Sequence, residues 1–249
     1  MMRKKIIVAG SLVKECVYSC PAGREDARIR AEKRKISSAA QQRINARYSW
    51  QKLELMLAAN FVPGDLVVTL TFDDQHLPET RAAASAMLKK FRADLSRLRK
   101  AAGEQLVMIW TTENKSGSGR WHHHCVINAT SGSDFVDILT CWPHGSDIEI
   151  RRLEIGGRKS YESLARYFCK ESRERAGLRS WSYTRSCRHP EIETFPVPDD
   201  TEVRAPEDAT VLEQSSDQTM FGQYAYIKYL AASPQSLRKL RPKTKRRRK

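Results

Sequence analysis

The residues with the most chemistry to offer are the run Arg120-Trp121-His122-His123-His124-Cys125-Val126-Ile127-Asn128. It places three consecutive histidines in a chain that holds six. They lead into an apolar, β-prone segment, which predicts that they open a strand. Alternate side chains of a strand share a face, so His122 and His124 point one way while His123 and Cys125 point the other. Two imidazoles on one face form half of a divalent-metal site. The plain alternative is a set of ordinary surface or core histidines. A zinc site using Cys125 is disfavoured because that thiol faces away from the pair.

A third ligand is available from the preceding strand. Residues 105–113 read as a strand ending in Glu113, and Asn114-Lys115-Ser116-Gly117-Ser118-Gly119 turns the chain back as a β-hairpin. Directly opposite residues of an antiparallel ladder share a face. Glu113 therefore joins both imidazoles if it lies opposite His122 or His124, and a one-residue slip to His123 breaks the site. Two imidazoles and a carboxylate, with positions left open, suit Mg²⁺ or Mn²⁺, and zinc would take the same ligands.

Tyr167-Phe168-Cys169-Lys170 is a second constellation. It falls in a helix predicted over 161–176, with Ser160 as N-cap and Gly177 as stop. Positions three apart on a helix are neighbours, so Tyr167 and Lys170 face together. A phenol ionises near pH 10 in isolation and needs its charge stabilised before it can attack phosphorus. A lysine beside it can do that or hold a phosphate oxygen. An ordinary core tyrosine would look the same in so short a motif. Tyr161 is a rival nucleophile, but six residues turn a helix by roughly 240°, so the two tyrosines do not share a face.

These groups need a scaffold. Residues 66–72 form a strong strand candidate after the Pro63-Gly64-Asp65 turn, and 78–102 an amphipathic helix stopped by Gly103. A short helix follows Ser133, and 148–153 alternates as a strand. The order implies an α+β fold, an antiparallel sheet packed on one side by helices. Residues 25–60 read as a basic helix, with Ile29, Ile36, Ile44 and Leu53 among its apolar positions. Its Arg and Lys side chains either face phosphates or form a solvated face. Residues 190–215 read as a long irregular connection and 224–230 as a last ordered element. The expected organisation is a basic amino-terminal arm and helix over 1–60, a catalytic domain over 61–232, and a disordered basic tail over 233–249.

Lys and Arg number 44 against 29 Asp and Glu, a net charge of +15. An excess of this size points to nucleic acid first and an anionic surface second. No apolar run reaches the length of a spanning helix, so no membrane partner is expected. The start, residues 1–10, is a strand or arm, because its apolar stretch is short and broken by Lys14-Glu15. The six cysteines form no CxxC pair and read as reduced thiols of a cytoplasmic protein.

Taken together, a Thr-Leu-Thr strand (Val68-Thr69-Leu70-Thr71-Phe72), a His-x-His strand and a helical YxxK, in that order, resemble the HUH endonucleases. More narrowly, the chain is similar to the rolling-circle replication initiators of phages and plasmids. The resemblance covers roughly residues 65–190 and includes Arg179-Ser180-Trp181-Ser182-Tyr183-Thr184-Arg185-Ser186. It implies an RRM-like or ferredoxin-like sheet with the histidine pair on a central strand. It also implies that His122, His124 and Glu113 hold Mg²⁺ or Mn²⁺, that Tyr167 is the nucleophile and that Lys170 supports it. Thr69, Thr71, Arg120 and Arg185 are the expected DNA contacts. The substrate is single-stranded origin DNA, cut through a 5′-phosphotyrosine intermediate in a prokaryotic cytoplasm. Helicase and polymerase would come from the host or the element, since no Walker A sequence is present. Two features depart from the family pattern: His123 replaces a hydrophobic residue, and Tyr161 and Tyr167 lie six apart where paired tyrosines are often four apart.

Other readings remain open. A relaxase or single-tyrosine transposase would use the same residues. A non-enzymatic nucleic-acid-binding protein would rely on charge, the tail and stacking by Trp110, Trp121 and Trp181. A structural metal module would unfold when its ion is removed.

Overall fold

The structure is a computed structural model and describes residues 1–19, 39–114, 119–130, 132–155, 159–170, 180–219 and 222–233. The expected basic residues before 39, the tip of the hairpin at 115–118, Arg179 and the tail beyond 233 lie outside the described residues. Among the described residues the fold is mixed α+β, with two five-stranded antiparallel sheets and four helices.

The chain divides into two compact units. The first contains α1 (Ala39–Asn60), β3 (Leu66–Leu70), α2 (Arg81–Ala101), β4 (Met108–Asn114), β5 (Trp121–Ile127), α3 (Asp134–Cys141), β6 (Glu149–Arg152), α4 (Glu162–Phe168) and β7 (Ser182–Tyr183). Its sheet runs β6-β3-β5-β4-β7, which puts the histidine strand β5 at the centre. β3 is an apolar run whose side chains are buried on both faces, as suits an inner strand.

α2 follows from its sequence. Ala84, Leu88, Phe91 and Leu95 recur every three or four residues and are buried, while Thr80 caps the start by accepting from the Ala83 N–H at 3.1 Å. Gly103, at φ 77°, ends it in the left-handed conformation that glycine adopts without steric cost. Beneath α2, Arg99 donates to Asp134 Oδ1 at 3.0 Å and Asn128 Oδ1 at 2.6 Å, a buried pair tying α2 to α3.

Helices lie on both faces of this sheet, where one face was expected. α2 and α3 pack with Leu66, Val68, Met108, Cys125 and Ile127. On the other face Trp50, Leu53, Met56 and Leu57 of α1 and Ala165 and Phe168 of α4 pack with Val67, Ile109 and Val126. The double burial follows from β3 and β5, which are apolar on both faces over part of their length. Of the apolar positions expected in the first helix, Leu53 is buried and Ile44 is exposed.

The second unit is the sheet β8-β1-β2-β10-β9, formed by β1 (Met2–Ala9), β2 (Leu12–Ser19), β8 (Glu191–Val197), β9 (Thr210–Thr219) and β10 (Gly222–Leu230). Ala9 pairs with Leu12, so Gly10-Ser11 is a two-residue hairpin loop, with Gly10 at φ 58°. Residues 190–215, expected to be irregular, contain β8 and part of β9. Both are edge strands: β9 is mostly polar, and β8 sets Phe195, Pro196 and Val197 in a row with no buried residue, so hydrophobic alternation is weak in each. Set against the expected segments 1–60 and 61–232, α1 groups with the histidine sheet, and β8 to β10 group with β1 and β2.

Candidate metal centre

Register assembles the site. Across β4 and β5, Glu113 pairs with His122, Thr112 with His123 and Thr111 with His124. Glu113 therefore shares a face with His122 and His124, as expected. Its Oε2 lies 3.9 Å from His122 Nε2 and 3.8 Å from His124 Nε2, and the three ligand atoms lie within 4.8 Å of one another. The imidazole centroids are 4.8 Å apart. Among the described residues this is the one group of His, Cys, Asp and Glu side chains with such spacing.

The electrostatics suit a cation. Burial, then the neighbouring His122 and Arg151, lower the His124 pKa to about 4. The imidazole is thus neutral near pH 7 and keeps a lone pair for a metal. The long Glu113–His124 contact is accordingly not an ion pair, and the three side chains form a group that could hold a metal ion. One carboxylate oxygen and two imidazole nitrogens on one face are a donor set that fits a divalent metal ion. Cys125 is buried on the opposite face, and its thiol pKa is raised by that burial. The five described cysteines are free thiols.

Tyr167 comes to this face from α4. Its hydroxyl lies 3.1 Å from His124 Nε2, the ring centroids are 5.0 Å apart, and the side chain is 45% exposed. Tyr161 does not reach the site. It is buried, its hydroxyl donates to Phe61 O at 2.5 Å, and burial raises its pKa. α4 ends at Phe168, before the expected boundary, with Cys169 as C-cap. Lys170 stands one residue further on, exposed, its N–H donating to Tyr167 O at 3.1 Å.

The other expected contacts divide. Thr69 is on the site face, its Oγ1 3.2 Å from His124 Nδ1 and 3.4 Å from Glu149 Oε2. Thr71 is fastened locally: its hydroxyl donates to Asp147 O, and its carbonyl accepts from Trp142 Nε1 at 2.8 Å. A Cβ on Gly145 would stand 2.6 Å from that same carbonyl oxygen, so the approach requires glycine. Arg120 donates to Asp74 Oδ1 at 2.5 Å and Phe72 O at 2.8 Å. Arg185 is away from the triad. It follows β7, where Thr184 N–H donates to Met108 O at the far end of β4, roughly 17 Å of strand from Glu113.

His123 and the tryptophans belong to the core. His123 is fully buried, with Phe72 and Trp142 each 5.6 Å away between ring centroids and Thr112 Oγ1 2.9 Å from its Nδ1. Trp121 and Trp181 are buried, and Trp110 lies under the Arg92 guanidinium at 4.2 Å. The expectation of three tryptophans available for stacking is thereby corrected for Trp121 and Trp181, whose apolar area is spent in packing, while Trp110 is half-buried.

Residues 65–172 match a family model of replication-associated proteins, the ORF2 type. The matched segment includes Glu113, His122, His124 and Tyr167, and the match fits a rolling-circle replication initiator. No curated protein and no solved structure matches the chain. No described helix is long and apolar enough to cross a membrane.

Proposed function

We propose that the unit built on β3 to β7 nicks and rejoins single-stranded origin DNA, as the endonuclease of a rolling-circle replication initiator. The observation that carries this reading is the half-exposed Tyr167 hydroxyl, 3.1 Å from His124 Nε2 beside the Glu113/His122/His124 group. In the proposed reaction the phenol gives up its proton and its oxygen attacks phosphorus. An O–P bond forms, the bond from phosphorus to the 3′ oxygen breaks, and that oxygen takes up a proton. The products are a 5′-phosphotyrosine and a free 3′-OH for a polymerase, and the reverse step rejoins strands.

Each residue has a role in this reading. Tyr167 is the nucleophile, its hydroxyl held beside the proposed metal ligands at the exposed edge of the group. Lys170 steadies the phenolate or a phosphate oxygen from just beyond α4. Thr71, Arg120 and, further off, Arg185 contact the strand. Mg²⁺ or Mn²⁺, bound by Glu113, His122 and His124, would supply positive charge beside the scissile phosphate. The proposed setting is a prokaryotic cytoplasm, with helicase and polymerase from the host or the element. A relaxase or transposase would use the same residues on a different DNA substrate.

The charge of +15 also favours a second reading, a protein that binds nucleic acid without cutting it. One experiment separates the two. Wild type is incubated with Mn²⁺ and a random pool of single-stranded oligonucleotides, and covalent adducts are sought on a denaturing gel. The endonuclease reading predicts an adduct that is lost with EDTA and in Tyr167→Phe. No adduct from wild type, or an equal yield from Tyr167→Phe, refutes it.

A further inference from the structure

We propose that Thr69 is a positioning residue for His124: its hydroxyl fixes which imidazole nitrogen carries the proton and so aims the other at the cation. The inference rests on the metal reading given above. Thr69 is the direct partner of His124 across β3 and β5, and its Oγ1 lies 3.2 Å from His124 Nδ1. The same oxygen donates to Glu149 Oε2 at 3.4 Å, from the edge strand β6, where Glu149 pairs with Thr69.

A hydroxyl has one hydrogen to give. With that hydrogen directed at Glu149, Thr69 Oγ1 accepts from His124, which places the imidazole proton on Nδ1. Nε2 is then left with its lone pair, on the side where Glu113 Oε2 and the Tyr167 hydroxyl lie. Thr111, the other cross-strand neighbour of His124, has its hydroxyl turned away to Ser180 O at 2.8 Å. Of the two threonines flanking the imidazole, only Thr69 is turned toward it. Hydrogen bonds of this kind hold a ligating imidazole in one tautomer and orientation, and losing one typically weakens metal binding about 10- to 100-fold. Thr69 thus acts on the cation through His124, where the sequence suggested a DNA contact.

The test titrates Mn²⁺ calorimetrically into full-length wild type, Thr69→Val, Thr69→Ser and Glu149→Ala. Single-stranded oligonucleotide binding in EDTA is measured in parallel. Valine keeps the β-branched shape and removes the hydroxyl, and a thermal melt checks that each variant folds. The expected result is Mn²⁺ affinity about 10- to 100-fold weaker in Thr69→Val, several-fold weaker in Glu149→Ala, and near wild type in Thr69→Ser. Oligonucleotide affinity in EDTA stays the same in all four. Unchanged Mn²⁺ affinity in Thr69→Val overturns the inference, as does a loss of oligonucleotide binding in EDTA with Mn²⁺ binding intact. Should Thr69→Val fail to fold, wild-type affinity in Glu149→Ala overturns it. Wild type that takes up no Mn²⁺ refutes the metal reading itself, and the inference with it.

Discussion

Glu113 and His122 are direct partners across the β4–β5 ladder, with Glu113 Oε2 3.9 Å from His122 Nε2 and 3.8 Å from His124 Nε2. Side chains alternate along a strand, so a one-residue slip would carry the carboxylate to the face of Cys125 and His123 and dissolve the group. The burial of Cys125 and Ile127 on one face and Val126 on the other makes such a slip costly.

The first prediction concerns those ligands. Glu113→Gln keeps the shape and removes the charge, while His122→Ala removes a nitrogen donor. Each should weaken Mn²⁺ binding by about tenfold or more in a calorimetric titration, by the loss of a metal ligand. Cys125→Ala, altered on the opposite face, should bind Mn²⁺ like wild type. A large loss in Cys125→Ala with none in Glu113→Gln would reverse the assignment.

Tyr161 and Tyr167 should separate cleanly. Tyr161→Phe removes a buried hydroxyl that donates to Phe61 O, so it should cost stability by about 1 kcal/mol in urea unfolding. Its yield of covalent DNA adduct should remain near wild type. A Tyr161→Phe protein that is stable but forms no adduct would bring Tyr161 into the chemistry.

How much of this was legible in the sequence depended on alternation. The ligand trio could be read because His122 and His124 lie two apart and Glu113 closes the strand before them, so one hairpin register brings all three together. The Thr69–His124 contact could not be read that way. It depends on β3 lying on the other side of β5, a pairing set by the whole sheet order. β8 and β9 carry little apolar period, β9 because it is mostly polar and β8 because Phe195, Pro196 and Val197 stand in a row. The choice between Tyr161 and Tyr167 needed three dimensions: helical spacing separates their faces, and only packing against Phe61 and Trp50 shows which face is inside.

His123 predicts a pH dependence. Burial, then the neighbouring His122, lower its pKa to about 3, against an ordinary value of 6.5. Below pH 6.5 the unfolded chain binds a proton that the folded chain refuses until about pH 3. Stability is therefore fully present above pH 6.5 and is lost as pH falls through that window. Urea midpoints of metal-free protein should drop accordingly, and His123→Phe should flatten the slope. It should not abolish it, since His124, lowered to about 4, contributes with the same sign. An identical slope in wild type and His123→Phe would contradict this account.

The central claim is that Tyr167 is the group that joins DNA. Its most direct test is mass-spectrometric peptide mapping of the adduct formed with Mn²⁺ and single-stranded oligonucleotides, after nuclease and protease digestion. The predicted result is a nucleotide mass on the peptide bearing Tyr167, with fragment ions placing it on that phenol. A nucleotide on Tyr161 or on any other side chain, or no modified peptide at all, would contradict it.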